Sequence, residues 1–207
     1  MRIIDISMPI THNMTVYKDK VENRPKIENL RNYNNSSMYE SSIWMNLHTG
    51  THVDFPLHGI QGGQNSTNHD LKQYIGPCKV FDLSNLKNSI TKEDIESLEI
   101  NENDFVLFKT RNSNVEGFDY EFVYLSESGA NFLVSKQVRG VGIDALGIER
   151  SQPNHETHTA LLSKNIVILE GLRLKNVLEG TYQLICLPIN IINVEALPVR
   201  AVLIEEK

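Results

Sequence analysis

An α/β fold with a mixed β-sheet is what this sequence predicts, from three observations. Short apolar runs of strand length recur along the chain, as at Phe105-Val106-Leu107-Phe108 and Ile166-Val167-Ile168-Leu169. Segments with helix starts and helical apolar spacing fall between those runs, as at Ser126 to Val138. Strands outnumber helices, and the two alternate rather than segregate, which favours helices packed on a sheet over a helical bundle.

Taken in order, Arg2 to Ser7 alternates Ile4 and Ile6 with Asp5 and Ser7 and reads as a strand. His12 follows in a polar loop, as a solvated residue. Residues 22–37 are polar, hold two Arg and many Asn, and read as a long loop of the kind that forms lids or binding loops. Tyr39 to Leu47 reads as a strand with Ile43, Met45 and Leu47 on one face, and with Trp44 as core or interface filler. Ser66 to Asp70 looks like a helix start, giving His69 a capping or solvated role. Lys79 to Leu83 is a strand, and Thr91-Lys92-Glu93-Asp94 opens a short helix with a capping box. Asp104 to Thr110 is a buried strand, with Lys109 and Arg111 at its end as surface charges or substrate contacts. Ser126 caps a helix whose buried face carries Ala130, Leu133, Val134 and Val138. Val141 to Asp144 is a buried strand leading to a turn, with Glu149 beyond it as an exposed loop residue or a carboxylate supporting a metal ligand. Tyr182 to Glu205 supplies two more strands.

At 207 residues the chain reads as one domain over 1–207, long enough for a sizeable core. A net charge of −6 and the lack of a Lys/Arg run argue against nucleic-acid or anionic-membrane partners. Asp5 breaks the N-terminal apolar run, so no signal peptide is expected, and no stretch approaches a membrane span. The expected location is the cytoplasm. Cys78 and Cys186 stand alone without CxxC spacing and read as buried free thiols.

The chemistry concentrates in His48-Thr49-Gly50-Thr51-His52-Val53-Asp54-Phe55-Pro56-Leu57-His58. Three of the chain's seven histidines and one aspartate fall within these eleven residues. The four-residue spacing of His48 and His52 would suit one face of a helix, but Gly50, the β-branched Thr51 and Val53, and Pro56 all oppose a helix here. In extended chain His52 and Asp54 share a side. A turn at Gly50 brings His48 round to meet them. Two imidazoles and a carboxylate suit Zn, Mn or Fe(II) with positions left open. His58 is either a further ligand or, preferred here, a general acid/base. A second segment, Asn154 to Leu162, reads as a helix with His155 and His158 one turn apart near its start. The apolar strand after it ends in Glu170, a carboxylate costly to bury unless paired or metal-bound.

His-x-Gly-Thr-His-x-Asp-x-Pro-x-His resembles the signature of the cyclase-like metal hydrolases, which include bacterial kynurenine formamidase (arylformamidase) and isatin hydrolase. Similar matches run through nearly the whole chain: Asp5-Ile6-Ser7 with Pro9-Ile10, His158-x-x-Leu161-Leu162 before a strand ending in Glu170, Leu187-Pro188, and Ala196 to Arg200. The match is weakest between Lys18 and Tyr39. The resemblance implies a swivelling β/β/α fold with a mixed-sheet barrel and flanking helices. It implies a first metal on His48, His52 and Asp54, and a second on Asp54, His158 and Glu170, making two divalent ions per chain with zinc favoured over manganese. It implies hydrolysis of a small amide or lactam C–N bond with His58 moving the proton, and a homodimer. His155 has no counterpart and reads as a loop or helix-cap residue. Two departures bear on the substrate. Tyr17-Lys18-Asp19 stands where formamidases tend to have Trp-Pro-Gly-Asp, so Tyr17 is either a substrate-stacking ring or an ordinary aromatic. Phe55 stands where many members have a small residue, so it is expected to reshape the pocket. Together they predict weak turnover of kynurenine derivatives. The rival from another class is a metal-binding module without catalysis, whose site would be closed and often Cys-rich.

Overall fold

A computed structural model describes residues 1–205. In chain order the strands are β1 (Arg2–Asp5), β2 (Lys26–Arg31), β3 (Glu40–Trp44), β4 (His52–Asp54), β5 (Ile75–Asp82), β6 (Ser89–Ile90), β7 (Phe105–Lys109), β8 (Tyr124–Leu125), β9 (Gly140–Ile143), β10 (Val167–Glu170), β11 (Gly180–Ile185), β12 (Ala196–Pro198) and β13 (Val202–Glu205). The α-helices are α1 (Lys92–Ile95), α2 (Glu127–Ser135) and α3 (Glu156–Leu162). Several single-turn 3₁₀ helices fill the connections.

Nine strands form one mixed sheet in the order β1-β13-β11-β5-β7-β9-β10-β4-β12. The centre, β5-β7-β9-β10, is parallel, and both flanks are antiparallel. β12 lies at one edge and β13 next to the other, yet only residues 199–201 join them. Four Cα steps reach about 14 Å at most. The sheet must therefore curl strongly, into a half-barrel. Residues 199–201 bridge its flanks, with Val199 N donating to Thr51 O and Ile6 N to Ala201 O, both 3.0 Å. The resemblance implied this curled mixed sheet.

Period-two alternation divides the core in two. On β7, Phe105 and Leu107 face the interior of the curl with Val53, Phe55, Cys78, Leu169, Leu184, Leu197 and Leu203. Val106 and Phe108 face outward and pack with Val141, Ile143 and Ile168 against Ala130, Leu133, Leu161 and Leu162 from the helices. The helix starts are built as their sequences predict. Thr91 and Asp94 form the capping box of α1, and the Ser126 side chain accepts from Gly129 N at the start of α2.

Three expectations need correction. Residues 22–37 are not a featureless loop: β2 lies within them and pairs antiparallel with β3 as a separate hairpin. The strand expected over Tyr39 to Leu47 is confined to Glu40–Trp44, and Trp44 is 53 % exposed rather than core. The tail from Tyr182 contributes to three strands, β11, β12 and β13, not two.

Candidate metal centre and cavity

The site is assembled by strand register. β4 pairs with β10 so that His52 lies opposite Glu170 and Asp54 opposite Ile168. Opposed residues in a sheet share a face, so His52, Asp54 and Glu170 all project to the helix side. α3 covers that side. Its buried face carries His158, with Leu161 and Leu162 one turn on, so the packing that seats the leucines also delivers His158 to the strands. His48 arrives from the turn that Asn46 to Thr49 makes ahead of β4. Gly50 there has φ +77°, and a Cβ at Gly50 would lie 2.7 Å from Ile10 Cδ1. Gly171, just past β10, has φ +71°, and a Cβ on it would lie 2.3 Å from Gly50 O. Two bare backbones therefore meet beside the site, and only glycine permits it.

Asp54 sits at the centre. Its Oδ1 lies 3.6 Å from both His48 Nε2 and His52 Nε2, and its Oδ2 lies 3.6 Å from His158 Nε2. Glu170 Oε2 is 3.3 Å from His52 Nε2, and Glu170 Oε1 is 3.5 Å from His158 Nε2. Glu170 Oε1 also accepts from Ile148 N at 2.6 Å. Each imidazole has its other nitrogen against an oxygen: His48 Nδ1 at 3.3 Å from Asn46 Oδ1, His52 Nδ1 at 2.9 Å from Gly50 O, and His158 Nδ1 at 3.1 Å from Glu149 Oε2. With Nδ1 so occupied, the three Nε2 atoms converge on the two carboxylates.

The arrangement fits a metal. Both Asp54 oxygens and His52 Nε2 are buried without a hydrogen-bond partner. An unpaired buried carboxylate is expensive. The separations around it are too long for hydrogen bonds. They match donor atoms sharing a tetrahedral ion, which at bonds near 2.1 Å lie about 3.4 Å apart. His52, Asp54 and Glu170 form one group whose ligand atoms lie within 4.8 Å of one another, and His48, Asp54 and His58 form another. The field of the site points the same way. Burial lowers the pKa of His52, but the Glu170 and Asp54 carboxylates outweigh it and raise it to about 9. Burial would raise that of Glu170, but His158 and His52 hold it well below the usual carboxylate range. His158 is raised well above the usual value, its carboxylate neighbours again outweighing burial. For His48, burial wins and the value is lowered. A field that draws protons onto imidazoles also draws a cation.

The cluster opens on a cavity of about 310 Å³ whose walls include Tyr17, Asn46, His58, Leu146 and His155, at the small end of the roughly 300–1,000 Å³ of small-molecule sites. His58 is exposed, with Nδ1 3.0 Å from His48 Nε2 and its ring 5.2 Å from that of His158. Tyr17 is half-buried and packs edge-on against Phe118 at 5.2 Å, leaving its ring in the cavity wall. Burial, with the Glu170 and Glu149 charges, raises the Tyr17 pKa.

Phe55 lies on the other face of the sheet. It is 3 % exposed, packs in the interior core with its ring 5.2 Å from His69, and does not line the cavity. Alternation turns residue 55 to the face opposite His52 and Asp54. His69 lies away from the cluster, between Phe55 and Tyr74, with Nδ1 2.6 Å from Ser66 O. Lys109 pairs with Asp82 and Arg111 with Asp119, so neither serves the cavity. Glu149, open between two roles in the sequence, is 7 % exposed and lies against His158 and His155. Asn46 carried no signal of its own: only the fold shows an amide held against His48.

The profile of the family described as putative cyclase matches residues 4–150. A protein from Salinibacter ruber named kynurenine formamidase is 35 % identical over 206 residues, covering 98 % of this chain and 97 % of its own. A solved structure described as a potential metal-dependent hydrolase with cyclase activity is 46 % identical with a TM-score of 0.92, over 98 % of this chain and 96 % of that one. Isatin hydrolase A from Labrenzia aggregata superposes with a TM-score of 0.85 at 24 % identity, over 99 % of this chain and 94 % of its own, a likeness of fold.

Proposed function

The chain belongs to the putative cyclase family, and from that premise we propose that it is a divalent-metal-dependent hydrolase of small amide or lactam C–N bonds, of the arylformamidase kind. The observation that carries this reading is Asp54, a buried carboxylate with both oxygens unpartnered, ringed by three imidazole nitrogens beside a cavity. The ligands are His48, His52 and Asp54 for one ion, and Asp54, His158 and Glu170 for the other. Zinc is the favoured metal and manganese the alternative. A bound ion supplies Lewis acidity toward a carbonyl and makes water acidic enough to ionise near neutral pH. His58, at the exposed side of the cluster, holds a proton and gives it to the leaving nitrogen as the C–N bond breaks. Tyr17 offers a ring face to an aromatic substrate. The cavity admits one small molecule and keeps bulk water from the rest of the cluster. A site built to hold structure would be closed and often Cys-rich. This set contains no Cys and opens on a cavity, which favours catalysis.

The enzyme so read acts as one domain over residues 1–207, as a homodimer in the cytoplasm, without nucleic-acid or membrane partners. The net charge of −6 supports the last point. Among the described residues no helix is long and apolar enough to cross a membrane. The exposed Tyr39, Ile43 and Trp44 of the β2–β3 hairpin support self-association. Tyr17 in place of the formamidase Trp favours a second reading of the substrate, another small cyclic amide, imide or lactone. Chelation should abolish hydrolysis, and Zn, Mn or Co should restore it, with N-formylkynurenine and isatin assayed side by side. Full activity in metal-free protein would contradict the reading. A kcat/KM for N-formylkynurenine near 10⁵ M⁻¹s⁻¹, roughly ordinary for an enzyme, would show that Tyr17 does not turn that substrate away.

A further inference from the structure

Of the three imidazoles that face Asp54, two have Nδ1 against a neutral oxygen, Asn46 Oδ1 and Gly50 O. The third, His158, has Nδ1 against a carboxylate. Glu149 Oε2 lies 3.1 Å from His158 Nδ1 and accepts from His158 N at 3.1 Å. The ring contact is close but poorly aligned, so His158 Nδ1 has no well-directed hydrogen bond here. The other Glu149 oxygen contacts His155 Nδ1 at the cavity mouth. His155 reaches it from the left-handed region, φ +53°, which His, like Asn and Asp, adopts more readily than most side chains. A buried carboxylate thus stands between a ligand imidazole and an exposed one.

We infer that Glu149 is a positioning residue for the ion held by Asp54, His158 and Glu170. It keeps the proton of His158 on Nδ1 and the lone pair of Nε2 aimed at the carboxylates. The inference rests on the metal reading above. A carboxylate behind a ligand imidazole fixes the tautomer and ring orientation and makes the imidazole a stronger donor, and its loss typically weakens metal binding about 10- to 100-fold. The nearest oxygens behind His48 and His52 are uncharged, at 3.3 and 2.9 Å, and the one carboxylate facing His48 Nδ1, Glu195 Oε1, stands off at 3.9 Å, so the effect falls chiefly on one ion of the two. His155 shares the same carboxylate, which ties the cavity mouth to the ligand shell.

The test is competitive titration of metal-free protein with Zn²⁺ against a chelating dye. Wild type binding no Zn²⁺ would sink the metal reading itself and this inference with it. With wild type binding two ions, Glu149→Gln should weaken one by about 10- to 100-fold and leave the other unchanged. Its metal-free melting temperature should fall, because the carboxylate's pairing with the His158 and His155 rings is lost, so the affinity and not the melting temperature decides. Equal affinities in variant and wild type would overturn the inference and leave the metal reading intact. Nitrogen-15 NMR of the zinc-loaded wild type needs no variant. It should show the His158 proton on Nδ1. Zinc bound at Nδ1 would overturn the assignment, as would an ion seated among Glu149, His155 and His158, whose ligand atoms also lie within 4.8 Å of one another.

Discussion

On β4, His52 and Asp54 face α3 and the cluster whose His48, His158 and Glu170 line the cavity, while Val53, and Phe55 one residue further on, face the interior of the curled sheet. The four residues share one stretch of backbone and nearly the same burial, since all are at most 4 % exposed. Their surroundings differ completely. Val53 and Phe55 are met by apolar side chains that satisfy them. Asp54 is met by imidazoles at distances too long to satisfy it. Burial on the interior face stabilises the fold, whereas burial on the cavity face stores an affinity for cations. The sheet supplies rigidity to both, and alternation keeps them apart.

The contrast can be broken most sharply by cutting one residue on each face. Phe55→Ala should cost roughly 3–5 kcal/mol of unfolding free energy, the usual price of emptying an aromatic site in a core, while the protein that remains folded keeps its ions. Asp54→Ala should cost the metal-free protein less than that, and should abolish ion binding and with it turnover, by about 10³-fold or more if several kcal/mol of charge stabilisation are lost. Denaturant unfolding and metal analysis on both variants check this. Equal stability losses, or retained ions in Asp54→Ala, would break the contrast.

His58→Ala is the next largest. His58 lines the cavity from the exposed side, so its removal should keep the metal content and lower kcat by roughly a hundred-fold or more. Loss of an ion would make His58 a ligand instead, as its place in the His48, Asp54 and His58 group allows.

The difference between the faces also explains what could be read beforehand. The shared side of His52 and Asp54 was legible from the alternation of an extended chain, whereas His158 and Glu170 were joined to them only through the family resemblance. The capped helices and β7 were legible because each has a period visible locally. The role given to Phe55 ignored the alternation that correctly paired His52 with Asp54. The β2–β3 hairpin was missed because it carries exposed apolar residues on a free-standing ribbon, so no buried face imposes a pattern on Lys26 to Arg31. The curl of the sheet was not readable from pattern at all, since it depends on residues 199–201 joining strands from opposite flanks of the sheet. Glu149 lies outside strands and helices, and only the packing of α3 buries it.

The smallest expected effect is an absence of reaction on the interior face. Cys78 and Cys186 lie there, and burial pushes both thiols up to about 12. The thiolate is the reactive form, so a thiol reagent at pH 8 should label neither cysteine in native protein and both after denaturation. Rapid labelling of native protein would show that the interior is not closed.

The most direct test of the two-ion centre is the zinc stoichiometry of wild type beside Glu170→Ala, by metal analysis of folded protein. Glu170 lies more than a hundred residues after His52 and meets it only through the β4–β10 register. Two ions per chain in wild type, falling to one in Glu170→Ala with the fold retained, is the predicted result. An unchanged stoichiometry in Glu170→Ala would contradict it and leave Glu170 as a structural partner of His52 and His158.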